Sequence, residues 1–425
     1  MTILVFLVAL LGSMAIGVPV AFALMFCGVI LMMYMGIFNP QIVAQNMIDG
    51  ANSFILLAIP FFILAGELMN TGGLSKRIIN FAIAFTGHVK GGLGIVAIIA
   101  AIIMASLSGS AAADSAALAA ILIPMMRDAG YDVPRSAGLV AAGGVVAPVI
   151  PPSIAFIIFG VAANVSITQL FIGGIVPGIL MGGGLVIAWQ IVARRDNVEV
   201  LPRQGWRERG RETMRAGWAL MMPVIILGGI RFGLFTPTEA GAIAAFYALF
   251  VGLFVYRELK LRDLYGVILR AAKTTAAIMF LVSGALVSAW LITSANIPNE
   301  IIRILAPVMD HPTLLLAMIM VLILIVGTSL DLTPTILILT PVLMPIIRQA
   351  GIDPVYFGVL FVMNTCIGLL TPPVGVVLNV VSGVAHVPMG RVIKGVWPFL
   401  AAHVTVLLLL VLFPSLVLVP LQWLR

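Results

Sequence analysis

Long apolar stretches fill most of the chain, and they differ chiefly in where polar, Gly or Pro residues interrupt them. Several exceed the ~18 apolar residues that let a helix span a bilayer, and strict strand-like alternation is absent, which removes a membrane barrel. Residues 3–35 form one such stretch, broken at Gly17-Val18-Pro19. At ~1.5 Å per residue it would cover about 50 Å, too long for one upright span, so two short spans are expected. Asn39 to Asn52 is polar, carries no Lys or Arg, and reads as an outside loop. Residues 54–70 cross, and 74–90 have the pattern of an amphipathic arm lying at the interface. In 92–128, about 13 apolar residues flank each side of the Ser-Leu-Ser-Gly-Ser tip, roughly 20 Å of helix each. Neither arm spans a hydrocarbon core of about 30 Å, so a re-entrant hairpin entering from the cytoplasmic side is predicted. Residues 135–163 form a crossing broken at Pro148-Val149-Ile150-Pro151-Pro152, and 169–193 an unbroken one.

The same plan recurs at a constant offset of 221, without a gap: Ser108 falls on Ser329, Pro124 on Pro345, Arg127 on Arg348, Asp132 on Asp353, and Pro151-Pro152 on Pro372-Pro373. The chain therefore divides into a first repeat, 1–193, with scaffold spans in 3–90, a basic linker, 194–215, and a second repeat, 216–425. The second repeat has scaffold spans within 216–309 (216–232, 236–256, 273–295 and an arm at 298–309), then a hairpin at 313–349. A crossing at 354–385 is broken at Thr371-Pro372-Pro373, and a last span covers 395–421. The predicted fold is an all-α polytopic membrane protein in which each half has about five crossings, one re-entrant hairpin and one broken helix. Five is odd, so the halves must be inverted.

Composition agrees: 62% of the 425 residues are hydrophobic and 9% charged, against roughly 25% charged in soluble domains. The N-terminal run lacks a basic flank and reads as a retained span rather than a leader. Cys27 and Cys366 lie in apolar segments and imply neither a disulfide framework nor a metal site. The net charge of +7 does not point to nucleic acid, because the basic residues follow topology. Seven arginines lie in 194–215 (Arg194, Arg195, Arg203, Arg207, Arg209, Arg211 and Arg215), which a solvated cytoplasmic loop explains. With that loop inside, only Arg231, Arg303, Arg348 and Arg425 of 23 Lys and Arg fall outside. The second hairpin must then open from the other side.

An unwound tip at membrane depth survives only against protein or a cavity. The hairpin tips at 106–110 and 327–331 and the breaks at 147–152 and 368–373 are four such places. Freed carbonyls beside small hydroxyls suit a hard monovalent cation such as Na⁺. One candidate site combines Ser106, Ser108 and Ser110 with carbonyls from Gly144 to Pro148; the other combines Gly327, Thr328, Ser329, Gly368 and Thr371. Helices restarting near Ala111, Ser153, Thr333 and Val374 would aim positive dipole ends at a carboxylate. The expected substrate region is Ser110, Ala111, Pro151, Pro152, Ser153, Asp331, Thr333, Pro372 and Pro373. The competing reading is that Gly, Ala, Ser and Pro merely permit close packing; it suits any one residue better than four matched breaks. Asp331 either helps hold a cation or shapes its tip, and Asp114 reads as a helix cap. Glu67 and Glu239 read as structural hydrogen-bonding groups, the four histidines as loop or interface residues, and Arg127 and Arg348 as headgroup anchors.

SLSGSAAADSAA, VVAPVIPPS, GLFTPTEAGA, TPPVG and AIPFFILAGELMNTGGLSKR resemble the large membrane subunit (DctM-like permease) of tripartite ATP-independent periplasmic (TRAP) transporters, nearly end to end. The resemblance implies a Na⁺-coupled importer of organic acids in a bacterial inner membrane, with a periplasmic substrate-binding protein and a small four-helix membrane subunit as partners. It also implies an elevator in which hairpins and broken helices move against a scaffold, with no organic cofactor. Among family members the chain is most similar to those handling sugar acids such as 2,3-diketogulonate or sialic acid. The superfamily's dicarboxylate carriers have Ser-Asn-Thr at both tips where this chain has Ser108-Gly109-Ser110 and Thr328-Ser329-Leu330-Asp331, so their substrate contacts do not transfer. A stand-alone Na⁺/carboxylate carrier and a passive channel are the rival transport readings. A membrane-embedded enzyme is disfavoured by the absence of a zinc-protease motif or nucleophile elbow.

Overall fold

The computed structural model describes residues 2–194 and 201–423, with the backbone alone for Leu107 and Ser108; Arg195 and Arg425 therefore lie outside the described residues. All regular structure among them is helical. The first half contains α1 (Thr2–Ala15), α2 (Val20–Tyr34), α3 (Pro40–Ala51), a 3₁₀ turn (Phe54–Leu57), α4 (Ala58–Thr71), α5 (Leu74–Thr86), α6 (Gly92–Ser108), α7 (Ala111–Asp128), α8 (Val133–Gly144), α9 (Ile154–Ala163) and α10 (Ile167–Ala193). The second contains α11 (Trp206–Arg231), α12 (Pro237–Phe250) ending in a π turn (Val251–Val255), α13 (Leu261–Ser294), α14 (Ile297–Met309), α15 (Pro312–Gly327), α16 (Leu332–Gln349), α17 (Pro354–Gly368), α18 (Val376–Ala385), α19 (Met389–Leu412) and α20 (Ser415–Trp423). Seven of these segments are long and apolar enough to cross a membrane.

Several boundaries differ from the sequence reading, each for an identifiable reason. Asn39 to Asn52 is a helix, because Asn39 accepts a hydrogen bond from the Gln41 amide at 2.9 Å and Pro40 pre-sets the first turn. α11 starts at Trp206 rather than 216, so half of the basic linker is helical. Arg209 is buried there, under the Trp206 and Phe85 rings at 5.2 and 5.8 Å, rather than solvated. α13 starts at Leu261, where Asp263 accepts from the Lys260 amide, well before the apolar stretch begins. The last span starts at Met389 and stops at Leu412, because Pro414 lacks an amide proton and forces Phe413 out of helical geometry. The hairpin arms are 17, 18, 16 and 18 residues long, longer than their purely apolar cores and about 24–27 Å, and α16 is itself one of the seven segments long and apolar enough to cross.

The offset seen in the sequence persists in the caps. Asp132 and Asp353 start α8 and α17, and Ser110 and Asp331 start α7 and α16. Both Pro-Pro bonds, Pro151–Pro152 and Pro372–Pro373, are cis. Packing shows how the halves are related. α7 lies on α18 while α16 lies on α9; α8 lies on α19 while α17 lies on α10; α9 lies on α17 while α18 lies on α8. Each contact reappears with the halves exchanged, which a two-fold axis produces and a simple translation does not.

The hairpins open on opposite faces. α8 leaves the base of the first hairpin, and the α8–α9 crossing ends at Ala163. There the Ala163 carbonyl accepts a hydrogen bond at 2.8 Å from Arg348, at the base of the second hairpin. Arg348 thus closes the C-terminal end of α9, where a cation is favoured, rather than only reaching for headgroups. The halves are inverted repeats.

Two bodies emerge. A core body holds both hairpins (α6–α7, α15–α16), both broken helices (α8–α9, α17–α18) and α10 with α19. A frame body holds α1–α4 and α11–α13, in which α12 packs on α4 and α2 on α13, again as exchanged mates. Gly28 and Gly284 let α2 and α13 approach closely; a methyl group on Gly284 would sit 2.8 Å from the Ala21 carbonyl oxygen. Glu67 of α4 bonds Arg270 of α13 at 2.8 Å, and Glu239 closes a capping box with Thr236, both structural roles.

Candidate functional site

In the first hairpin α6 continues through Ser108, so the unwound tip is only Gly109-Ser110. Gly109 adopts φ 62°, a left-handed conformation that favours glycine, and a methyl group on it would meet the Pro152 carbonyl oxygen at 3.1 Å. The tip is thereby pressed onto the break of the first broken helix. Ser106 stays inside α6, with its hydroxyl donated to the Ile103 carbonyl at 2.6 Å. Ser110 caps α7 by accepting from the Ala113 amide at 3.4 Å. Of the Ser108 side chain nothing is described. Gly144 backs onto α7, where any side chain would overlap the Ser115 hydroxyl. The Pro148 carbonyl accepts from the Ser153 hydroxyl, which also receives the Phe156 amide.

In the second half Gly327 and Gly368 bring the hairpin and the broken helix into backbone contact; a methyl group on Gly368 would lie 2.7 Å from the Gly327 carbonyl carbon. Thr328 and Ser329 place their hydroxyls 3.4 Å apart. The Thr371 hydroxyl donates to the Ile367 carbonyl and its amide to the Gly368 carbonyl, both at 2.9 Å. The Gly327–Gly368 contact thus joins the two segments that carry these five residues. In both halves the hydroxyls are largely spent on nearby backbone.

Both tips open on one cavity of about 330 Å³. Its lining includes the first residues of four helices: Ser110, Ala111 and Ala112 of α7, Ile154 and Ala155 of α9, Asp331, Leu332 and Thr333 of α16, and Val376 and Val377 of α18. The first-turn amides of a helix have no partners within it and carry partial positive charge. Four such ends on one small volume favour an anion. Asp331 is the one ionisable residue of the lining among the described residues, and it accepts from the Leu332 amide at 2.8 Å, capping α16. Of the expected substrate region, Ser110, Ala111, Asp331 and Thr333 line the cavity. Pro151, Pro152 and Ser153 are buried behind it, and Pro372 and Pro373 are not part of its wall.

On the frame side the wall is Thr274, Ala277, Ile278 and Leu281, spaced along one face of α13. Sequence reasoning treated α13 as plain scaffold, although the hydroxyl pair Thr274-Thr275 within an apolar run was a signal. Asn364 was missed as well. It is fully buried in α17 and donates to the Met320 carbonyl of α15, and an amide in the middle of a crossing is a feature to notice. His403 is buried, contrary to the interface reading, and its Nε2 lies 2.9 Å from the Ala142 carbonyl oxygen.

A model of the family described as tripartite ATP-independent periplasmic transporter, DctM component, matches residues 7–416. The chain belongs to the large permease subunits of TRAP transporters. The permease is 54% identical to the 2,3-diketo-L-gulonate TRAP transporter large permease protein YiaN of Escherichia coli strain K12, with 100% of both chains covered. It is 38% identical to the sialic acid TRAP transporter large permease protein SiaM of Vibrio cholerae, over 95% of each chain. Against the C4-dicarboxylate permease DctM of Pseudomonas aeruginosa it is 39% identical, over 91% of this chain and 92% of that one. Among solved structures, the YdaH transporter of Alcanivorax borkumensis shares the fold at TM-score 0.64 and 15% identity, covering 88% of this chain and 87% of that one.

Proposed function

We propose that this permease imports an organic acid, a sugar acid in particular, across the bacterial inner membrane, driven by Na⁺ and supplied by a periplasmic binding protein. A small four-helix membrane subunit completes the complex, and the core body moves as an elevator against the frame. The observation that carries the anionic-substrate reading is the convergence of four helix N-termini on one cavity of about 330 Å³, whose Asp331 carboxylate is held by the Leu332 amide at the start of α16. The sugar-acid class is supported by the 54% identity to a permease named for 2,3-diketo-L-gulonate. The coupling ion would bind on the joined segments that carry Gly327, Thr328, Ser329, Gly368 and Thr371, and around Ser106, Ser108, Ser110, Gly144 and Pro148 in the other half. Carbonyl oxygens would be the main ligands, since the described hydroxyls there are largely engaged.

The test is uptake by proteoliposomes holding both membrane subunits, with the binding protein outside and radiolabelled 2,3-diketo-L-gulonate or sialic acid as probe. Uptake is expected only with an inward Na⁺ gradient and the binding protein present. Uptake that persists in KCl removes the coupling, and uptake by this chain alone makes it a stand-alone carrier.

A further inference from the structure

α10 and α19 occupy matching places in the two halves and pack on one another, joined on their buried side by Trp189 and Phe399, whose rings lie 6.2 Å apart. Elsewhere they leave an open groove of about 620 Å³. Small residues make it: Gly183, Gly184 and Ala188 from α10, and Pro398, Ala401 and Ala402 from α19. Gly184 sits where the helices touch, since a methyl group on it would lie 3.2 Å from Val406. Gly183 has no such reason: nothing lies within 4 Å of where its methyl group would stand. It leaves room that the chain itself does not use. The one hydroxyl of the wall, Thr405, donates to the Ala401 carbonyl of its own helix at 2.8 Å, so the wall offers an occupant no free side-chain donor. The groove runs along 179–192 and 398–409, roughly 17–20 Å of helix. That is deep enough to follow a chain through one leaflet, half of a hydrocarbon core of about 30 Å.

Only one end of the groove is charged. On α10, Ile187, Ile191 and Arg194 recur at helical spacing, and on α19 so do Arg391, Lys394, Pro398 and Ala401. Arg194, Arg391 and Lys394 are exposed and continue the two walls on the side that the basic linker makes cytoplasmic. None of the three forms an ion pair among the described residues. At the opposite end, residues 167–170 and 408–413 carry no charge.

We infer that this groove holds one acyl chain of an anionic phospholipid from the cytoplasmic leaflet, with its phosphate held by Arg194, Arg391 and Lys394. A groove touches a hydrocarbon chain on several sides where a smooth helix face touches it on one, which multiplies the dispersion contacts. The three cations select a negative headgroup, and the uncharged outer end fixes the leaflet. Charge also argues against a second copy of the chain as occupant. Two copies share one orientation in the membrane, so a contact through this groove would set the same cations against each other.

The experiment places the full chain in phosphatidylcholine nanodiscs containing phosphatidylglycerol with a diazirine at the end of one acyl chain. After irradiation, peptide mass spectrometry should find the adduct at the deep end of the groove, within 179–183 or 405–409. Unlabelled phosphatidylglycerol should compete at least about tenfold better than phosphatidylethanolamine. Arg391→Gln with Lys394→Gln should reduce that preference by at least about tenfold, at about fivefold for each charge removed. Gly183→Leu should fill the groove and remove the adduct at an unchanged melting temperature. The charge variants leave the helix contact untouched, so they decide the question even where Gly183→Leu does not fold. Equal competition by the two lipids would make the occupant ordinary surrounding lipid and overturn the inference. So would displacement by inorganic phosphate as readily as by phosphatidylglycerol, which would make the cations a free-anion site. A disulfide between two chains through Gly183→Cys, with no lipid adduct, would overturn it in favour of a contact between copies.

Discussion

Gly368 has no room for a methyl group: three backbone atoms of Gly327 lie within 2.9 Å of where it would stand. Backbone cannot yield as a flexible side chain can, so Gly368→Ala should separate the second hairpin from the broken helix. The expected result is an inserted, folded protein with Na⁺-stimulated uptake lost, and stability lowered by about 1–3 kcal/mol, read by a thermal melt in detergent. Wild-type Na⁺ affinity in this variant would remove the proposed second cation site. His403 predicts a different effect. Its imidazole supplies a hydrogen bond to the Ala142 carbonyl beside the first break, and His403→Ala should cost about 1–3 kcal/mol by leaving that group buried and unpaired. His403→Gln should recover part of the loss. Equal melting temperatures for Ala, Gln and His would show that the bond contributes nothing.

Helix packing tests Arg348, which fastens the second hairpin's base to the end of α9. Arg348→Ala should loosen that end, costing about 1 kcal/mol and raising hydrogen exchange at the last turn of α9. Protection unchanged at Ala163 would return Arg348 to a headgroup role. The same elements show what the sequence could reveal. Hairpins and broken helices were legible because Gly, Ser and Pro interrupt apolar runs at paired positions. Lengths of α11 and α13 were not, because hydrophobicity marks where lipid begins whereas caps such as Asp263 mark where a helix begins. α3 was hidden by its polar composition, although Asn39-Pro40 is a start signal. The clusters of small residues proposed to hold the cation were legible, but not which of their oxygens remain available, since that depends on hydroxyl rotamers such as those of Ser106 and Thr371. The α13 wall was illegible because an apolar helix does not announce which of its faces meets a cavity.

For the whole molecule, the cavity is closed by core and frame together, so the frame wall can be tested without touching the hairpins. Ala277→Trp would place an indole inside a cavity of about 330 Å³, and uptake should be lost while the melting temperature in detergent stays near that of the wild type. Retained uptake would mean that this cavity does not hold the substrate.

The frame's two walls also differ in build. α13 runs unbroken from Leu261 to Ser294, whereas its mate is divided into α3, the 3₁₀ turn at Phe54–Leu57 and α4. One flank of the frame is a single rod and the other is jointed. A load placed evenly on the two would therefore bend one and merely tilt the other, so the frame is lopsided in stiffness although its plan is two-fold.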